Sequence, residues 1–210
     1  MKISRRLLSL LLIMSFIIML PVQNAQAADE KTKIKKLVKE MQSYEWSIFP
    51  VKEKKVVNLT KEEKAKAIAF SLKVKESDGI EKGEFGNYTV FKVSSSSFKK
   101  AALNIFGNNL KTSSLPQKDK PDIVTQDAYR LKNGTPVVYY TDGETELSYE
   151  VHSTKITKKS KNTYYAVKKI YFGYHGFNIG DPNYKITYTV KKNSKSDYGY
   201  VITKMIVEPI

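Results

Sequence analysis

Hydrophobic positions recur with two different periods along this chain, helical spacing in its first half and strict alternation in its second. Between residues 30 and 46, Ile34, Leu37, Val38, Met41, Tyr44 and Glu45 share one helical face, with lysines on the other, which predicts an amphipathic helix with Trp46 plugging the core at its end. SIFPVKEKKVVNL then reads as an extended link. Thr60-Lys61-Glu62-Glu63 is a capping box: the threonine hydroxyl can accept from the amide of Glu63, so a second helix is expected to run to about Lys75 and to bury Ala65, Ile68, Ala69 and Leu72. Gly79, Gly83 and Gly86 break the chain, and NYTVFKV has the β-branched and aromatic content of a strand. SSSSFKKAALNIFGNN predicts a third helix, capped by serine, with Phe98, Ala102, Ile105 and Phe106 on one side and Gly107 as its left-handed end.

From residue 126 the period falls to two. Strands are expected at about 126–132, 136–141, 144–157, 163–173, 184–192 and 198–208. Asn133-Gly134 and Asp142-Gly143 tolerate the positive φ of tight hairpins, KKSKN and NSKSD are polar turns, and YHGFNIGDPNY connects two strands. Consecutive strands are therefore expected to be antiparallel neighbours in one sheet. The fold class that follows is α+β, with N-terminal helices packed on one face of a curved antiparallel sheet. This element order, over most of residues 30–208, resembles the NTF2-like and cystatin-like folds, and its texture is similar to small secreted proteins of Gram-positive bacteria without an assigned activity. The resemblance implies a binding role, a pocket between sheet and helices, and a homodimer formed through the open sheet.

The first 27 residues change the picture of where the chain works. Lys2, Arg5 and Arg6 precede an apolar run from Leu7 to Leu20, followed by Pro21 and the small-residue site Ala25-Gln26-Ala27. The run is shorter than the roughly 18 residues that span a bilayer, so the segment reads as a secretory signal peptide cleaved after Ala27. Residues 28–210 are expected to form a single secreted α+β domain with no membrane span. That part carries 33 basic against 21 acidic residues, a net charge of +12. Such a surface favours anionic neighbours such as phosphate-rich wall polymer, while no interleaved aromatic and basic motif marks a nucleic-acid reader. The chain has no cysteine, which excludes thiol nucleophiles, cysteine-ligated zinc and a cysteine lipid anchor. The glycine spacings match no dinucleotide or phosphate-cradling loop, and no metal-binding motif occurs, so no cofactor is expected.

Three constellations carry candidate binding chemistry. His175 and Asp181 lie in the YHGFNIGDPNY loop with no nucleophile at a known spacing. On strand 144–157, alternation places Glu146, Glu150 and His152 on one face, where carboxylates and an imidazole can bind a cation, act as acid and base, or simply be the wet side of the sheet, with Lys168 among the counter-ions on the neighbouring strand. Eleven of the 14 tyrosines fall from Tyr139 onward, among them Tyr139, Tyr164 and Tyr174, and adjacent pairs such as Tyr164-Tyr165 cannot all be buried. The expected function is a secreted, non-enzymatic binding module for an anionic or carbohydrate envelope component or a protein partner. The alternative is a small pocket hydrolase or isomerase drawing acid and base from Glu146, Glu150, His152 or His175.

Overall fold

The structure, a computed structural model, describes residues 27–73, 88–118, 127–141, 147–174 and 181–210. The expected signal segment, through residue 26, and the expected Asp142-Gly143 turn lie outside those residues. The chain divides into two compact units, Met1–Lys33 and Ile34–Ile210. In the first, residues 27–33 are helical, with an i,i+4 ion pair between Lys33 and Asp29. The second contains helical residues 34–39 (α1), α2 (Gln42–Ile48), α3 (Lys61–Lys73), α4 (Ser95–Phe106) and eight strands. The strands are β1 (Lys55–Val57), β2 (Tyr88–Lys92), β3 (Asp127–Arg130), β4 (Pro136–Thr141), β5 (Leu147–Ser160), β6 (Thr163–Tyr174), β7 (Tyr184–Lys192) and β8 (Tyr200–Pro209).

The class is α+β, as the periods predict, but the strands form two antiparallel sheets where a single meander was expected. One is five-stranded in the order β1-β8-β7-β6-β5; the other is three-stranded in the order β2-β4-β3. The reason lies in β4, whose two edges are taken by β3 across the Asn133-Gly134 turn and by β2, leaving none for β5. Of that turn dipeptide only Gly134 adopts positive φ, at 86°. The link SIFPVKEKKVVNL supplies an unforeseen short strand, β1, which pairs Lys55 to Val57 against Val207 to Met205. The first expected helix is broken by a turn at residues 40–41.

The helices form where their capping chemistry places them. Thr60 Oγ1 accepts from the amide of Glu63 at 3.1 Å, and Ser94 does the same for Ser97 at the start of α4, which ends on Gly107 at φ 68°. In α3, Ala67 and Phe70 are buried along with the expected Ala65, Ile68, Ala69 and Leu72. From Ala67 to Leu72 every residue is buried, because α3 packs against α2 and α4 and also against β3 and β4.

On the inner face of the five-stranded sheet lies a buried charge. Glu45 of α2 has no exposed surface. Its Oε1 accepts from Lys168 Nζ of β6 at 2.6 Å and from the phenol of Tyr188 of β7, while Oε2 accepts from the phenol of Tyr149 of β5. Lys168, 3% exposed, also donates to the carbonyl of Val38 at 2.9 Å and lies 5.7 Å over the ring of Tyr188. Lys168 is not the wet-face counter-ion that the sequence pattern predicts; it points inward because Tyr164, Ala166, Ile170 and Phe172, its alternate neighbours, are all buried. One carboxylate thus ties α2 to three strands. Further out, Tyr44 donates to Glu63 at 2.5 Å and Tyr198 to Glu40 at 2.5 Å.

Desolvating a carboxylate and an ammonium costs several kcal/mol per ion, and removing one partner strands the other. Glu45→Gln and Lys168→Met are each expected to lower the unfolding free energy by about 3–5 kcal/mol in urea titrations. The double variant recovers much of that loss, since it buries no charge and the glutamine amide still bonds both phenols, its oxygen accepting from one and its NH2 donating to the other. Single variants within about 1 kcal/mol of the parent would contradict the network.

The phenols add a pH dependence. Burial first, and then the charge and hydrogen bond of Glu45, hold Tyr149 and Tyr188 well above the ordinary tyrosine value, and burial with Glu63 does the same for Tyr44. Below pH 10, the ordinary value, folded and unfolded chains both keep these protons and the contribution is complete. Above it the unfolded chain releases protons the folded chain retains, so stability falls as pH rises. Absorbance at 295 nm should show these phenols ionising only together with cooperative loss of near-ultraviolet circular dichroism.

Candidate functional site

The outward side of the five-stranded sheet follows from the same alternation that buries Lys168. On β6 and β7 the even positions point inward, Tyr164, Ala166, Lys168 and Ile170 on one and Ile186, Tyr188 and Val190 on the other, so Tyr165, Val167, Lys169, Lys185, Thr187, Thr189 and Lys191 point out. None of these outward residues is buried. Besides an irregularity between Lys158 and Ser160 at the end of β5, two β-bulges adjust the outer strands. One lies between Val151 and Ser153 of β5 and shifts the inward set from Tyr149 and Val151 to Thr154 and Ile156; the other, at Thr203 of β8, shifts it from Ile202 to Met205. Past the bulges, Lys155 and Lys204 join the outer face.

The face is strongly cationic. Lys155, Lys159, Lys169, Lys185, Lys191 and Lys204 lie on it against two acids, Glu150 and Glu208. Glu208 bonds Lys185 at 2.8 Å and Lys54 at 3.4 Å, and the hydrogen bond from Lys185 leads in holding its carboxyl below the usual range. Lys159 reaches the phenol of Tyr165 and lies 4.6 Å from its ring centroid. No ion pair with a described acid engages Lys155, Lys169, Lys191 or Lys204. Lys169 of β6 is directly opposite Lys185 of β7. Like charges placed so destabilise a sheet, and among the described residues only Glu208, bonded to Lys185, relieves this pair.

The sequence-predicted residues scatter. Tyr164 is buried at 3% and packs edge-on against Tyr200, with ring centroids 5.5 Å apart, so it belongs to the core. Glu150 and His152 are both exposed but part company at the bulge: Glu150 stays on the outer face, while His152 joins Val151 and Lys168 in lining a cleft at the sheet's β5 edge. Asp181 is exposed. Beside it Asn183 clamps the loop base, its side chain accepting from the amide of Phe172 at 2.9 Å and donating to that residue's carbonyl at 2.8 Å. Glu146 and His175 lie outside the described residues, as do the side chains of Tyr139 on β4 and Tyr174 at the end of β6. Among the described residues no cluster of His, Asp or Glu is arranged to hold a metal, and no helix is long and apolar enough to cross a membrane.

The outward lysines carried a signal in the sequence, their odd positions flanking the even buried rows, but the bulges that add Lys155 and Lys204 leave no mark in alternation. In comparisons with protein-family models, curated proteins and solved structures, the chain matches none.

The Lys169/Lys185 juxtaposition is a strain on the sheet, and relieving it should help the fold. Lys169→Glu is expected to raise stability by roughly 0.2–1 kcal/mol, the worth of a cross-strand pair, read as a higher thermal midpoint. A lower midpoint contradicts that placement.

Proposed function

We propose that this chain is a secreted binding module whose outer sheet face holds an anionic, phosphate-rich polymer of the cell envelope. The observation that carries the reading is the open face of the five-stranded sheet: six lysines against two acids, with Lys169 and Lys185 abreast. An open face with lysines on adjacent strands about 4.8 Å apart suits a chain of regularly spaced charges better than a compact substrate. Threonine hydroxyls at 187 and 189 and the Tyr165 ring lie between the cations and offer hydrogen bonds and a flat apolar surface. Helices on one side of a bent antiparallel sheet support an NTF2-like or cystatin-like assignment in our reading, with the three-stranded sheet as an addition to that plan.

Association driven by exposed charge weakens as the Debye length contracts from about 30 Å at 0.01 M to 3 Å at 1 M salt. Immobilised long-chain polyphosphate should retain the protein at low salt and release it steeply across that range. Lys155→Ala, Lys169→Ala and Lys204→Ala combined should move the release point to lower salt while leaving circular dichroism unchanged. Retention that ignores salt, or a triple variant that elutes with the parent, contradicts the proposal.

A further inference from the structure

On the opposite side of β5 from the lysine face, a groove runs between the α1–α2 segment and the edge strand. Its deeper part is a cleft of about 370 Å³ lined by Lys35, Lys39 and Gln42 from the helical side, His152 from the β5 bulge, and Lys168 beneath. Among the described residues no carboxylate lines it. Glu45 is behind Lys168 and, with the Val38 carbonyl, takes two of its three N–H groups, leaving the third for an occupant of the cleft. Lys168, itself nine-tenths buried and paired with Glu45, is thus a fixed ammonium on the lining of the cleft, with exposed Lys35 and Lys39 on its helical side.

The shallower part adjoins it through Gln42. This hollow of about 270 Å³ is lined by Gln42, Ser43, Trp46 and Tyr149. Trp46 is held by an edge-on contact with Phe172 at 5.3 Å between centroids. Lys35 and Lys39 of α1 and Gln42 and Trp46 of α2 line the two parts in turn. A cationic pocket with amide and hydroxyl donors at one end and an indole at the other has the two chemistries of an acidic sugar: the anion enters among Lys35, Lys39 and Lys168, while the C–H face of the ring packs on the apolar rings.

We propose that this groove is a second binding site, for a saccharide bearing a phosphate or carboxylate group. It stands apart from the lysine face and does not depend on it. Trp46 is the chain's single tryptophan, so its fluorescence reports on this groove alone. Titration of the full domain with glucose 6-phosphate and with glucuronate should give a saturable change for at least one, and the tighter of the two identifies the anion. Glucose and inorganic phosphate should each bind about tenfold or more weakly, the loss of one charge-assisted hydrogen bond or of the ring contact. Lys35→Ala/Lys39→Ala, at exposed positions, should weaken the acidic sugar about tenfold, whereas Lys169→Ala should leave it unchanged. Absence of a response to both acids, inorganic phosphate binding as tightly as the sugar phosphate, or a double lysine variant that binds like the parent would each overturn the site.

Discussion

A single carboxylate sets the geometry of this domain. Glu45 sits without solvent contact at the junction of α2 with β5, β6 and β7, and its two oxygens serve one ammonium and two phenols. A buried ion pair of this kind adds little net stability over an apolar filling of equal volume. What it does is fix register. Lys168 can reach Glu45 only if β6 presents its even positions inward and α2 lies across the sheet at one height, so the pair selects one packing from those that greasy surfaces alone would permit. The Val38 carbonyl bound by Lys168 carries the same constraint into α1.

That constraint decides what the outside can be. With even positions of β6 and β7 inside, Lys169, Lys185 and Lys191 have nowhere to go but out, and the bulges of β5 and β8 add Lys155 and Lys204 to the same side. The five-stranded sheet is therefore two-faced by chemistry as well as by solvation: an inner face holding one neutralised pair among aromatic and aliphatic groups, and an outer face holding uncompensated positive charge. The β5 bulge also turns His152 away from Glu150 and toward the groove. The acid–base row anticipated on that strand is divided between two surfaces, so its described members do not share a site.

Much of this was legible in residue order. Periodicity located α3, α4 and the long strands to within a few residues, and the Thr60 and Ser94 caps and the Gly107 terminus follow from side-chain chemistry within a turn. The buried pair was half visible: Glu45 falls on the apolar face of its helix, and Lys168 interrupts the inward row of β6, each a charge demanding a partner that only tertiary structure supplies. Strand pairing was less accessible. Hairpin logic joins neighbours in sequence, whereas β4 spends both edges on β2 and β3, a non-local choice that leaves β5 as the free edge of the other sheet. Bulges were invisible because one extra residue flips every later side chain without altering composition. Tyr164 illustrates the limit, since a ring in a tyrosine-rich strand can be core or surface and only the facing decides.

Lys168 and Lys169 are adjacent in sequence and opposite in fate, which makes them a direct probe of the whole arrangement. Brief labelling of the native protein with an amine-reactive acylating reagent, followed by peptide mass spectrometry, compares them in one fragment. The account predicts rapid modification at Lys169, with Lys168 left unmodified until denaturant is added. Comparable labelling of both lysines in the native protein would contradict it.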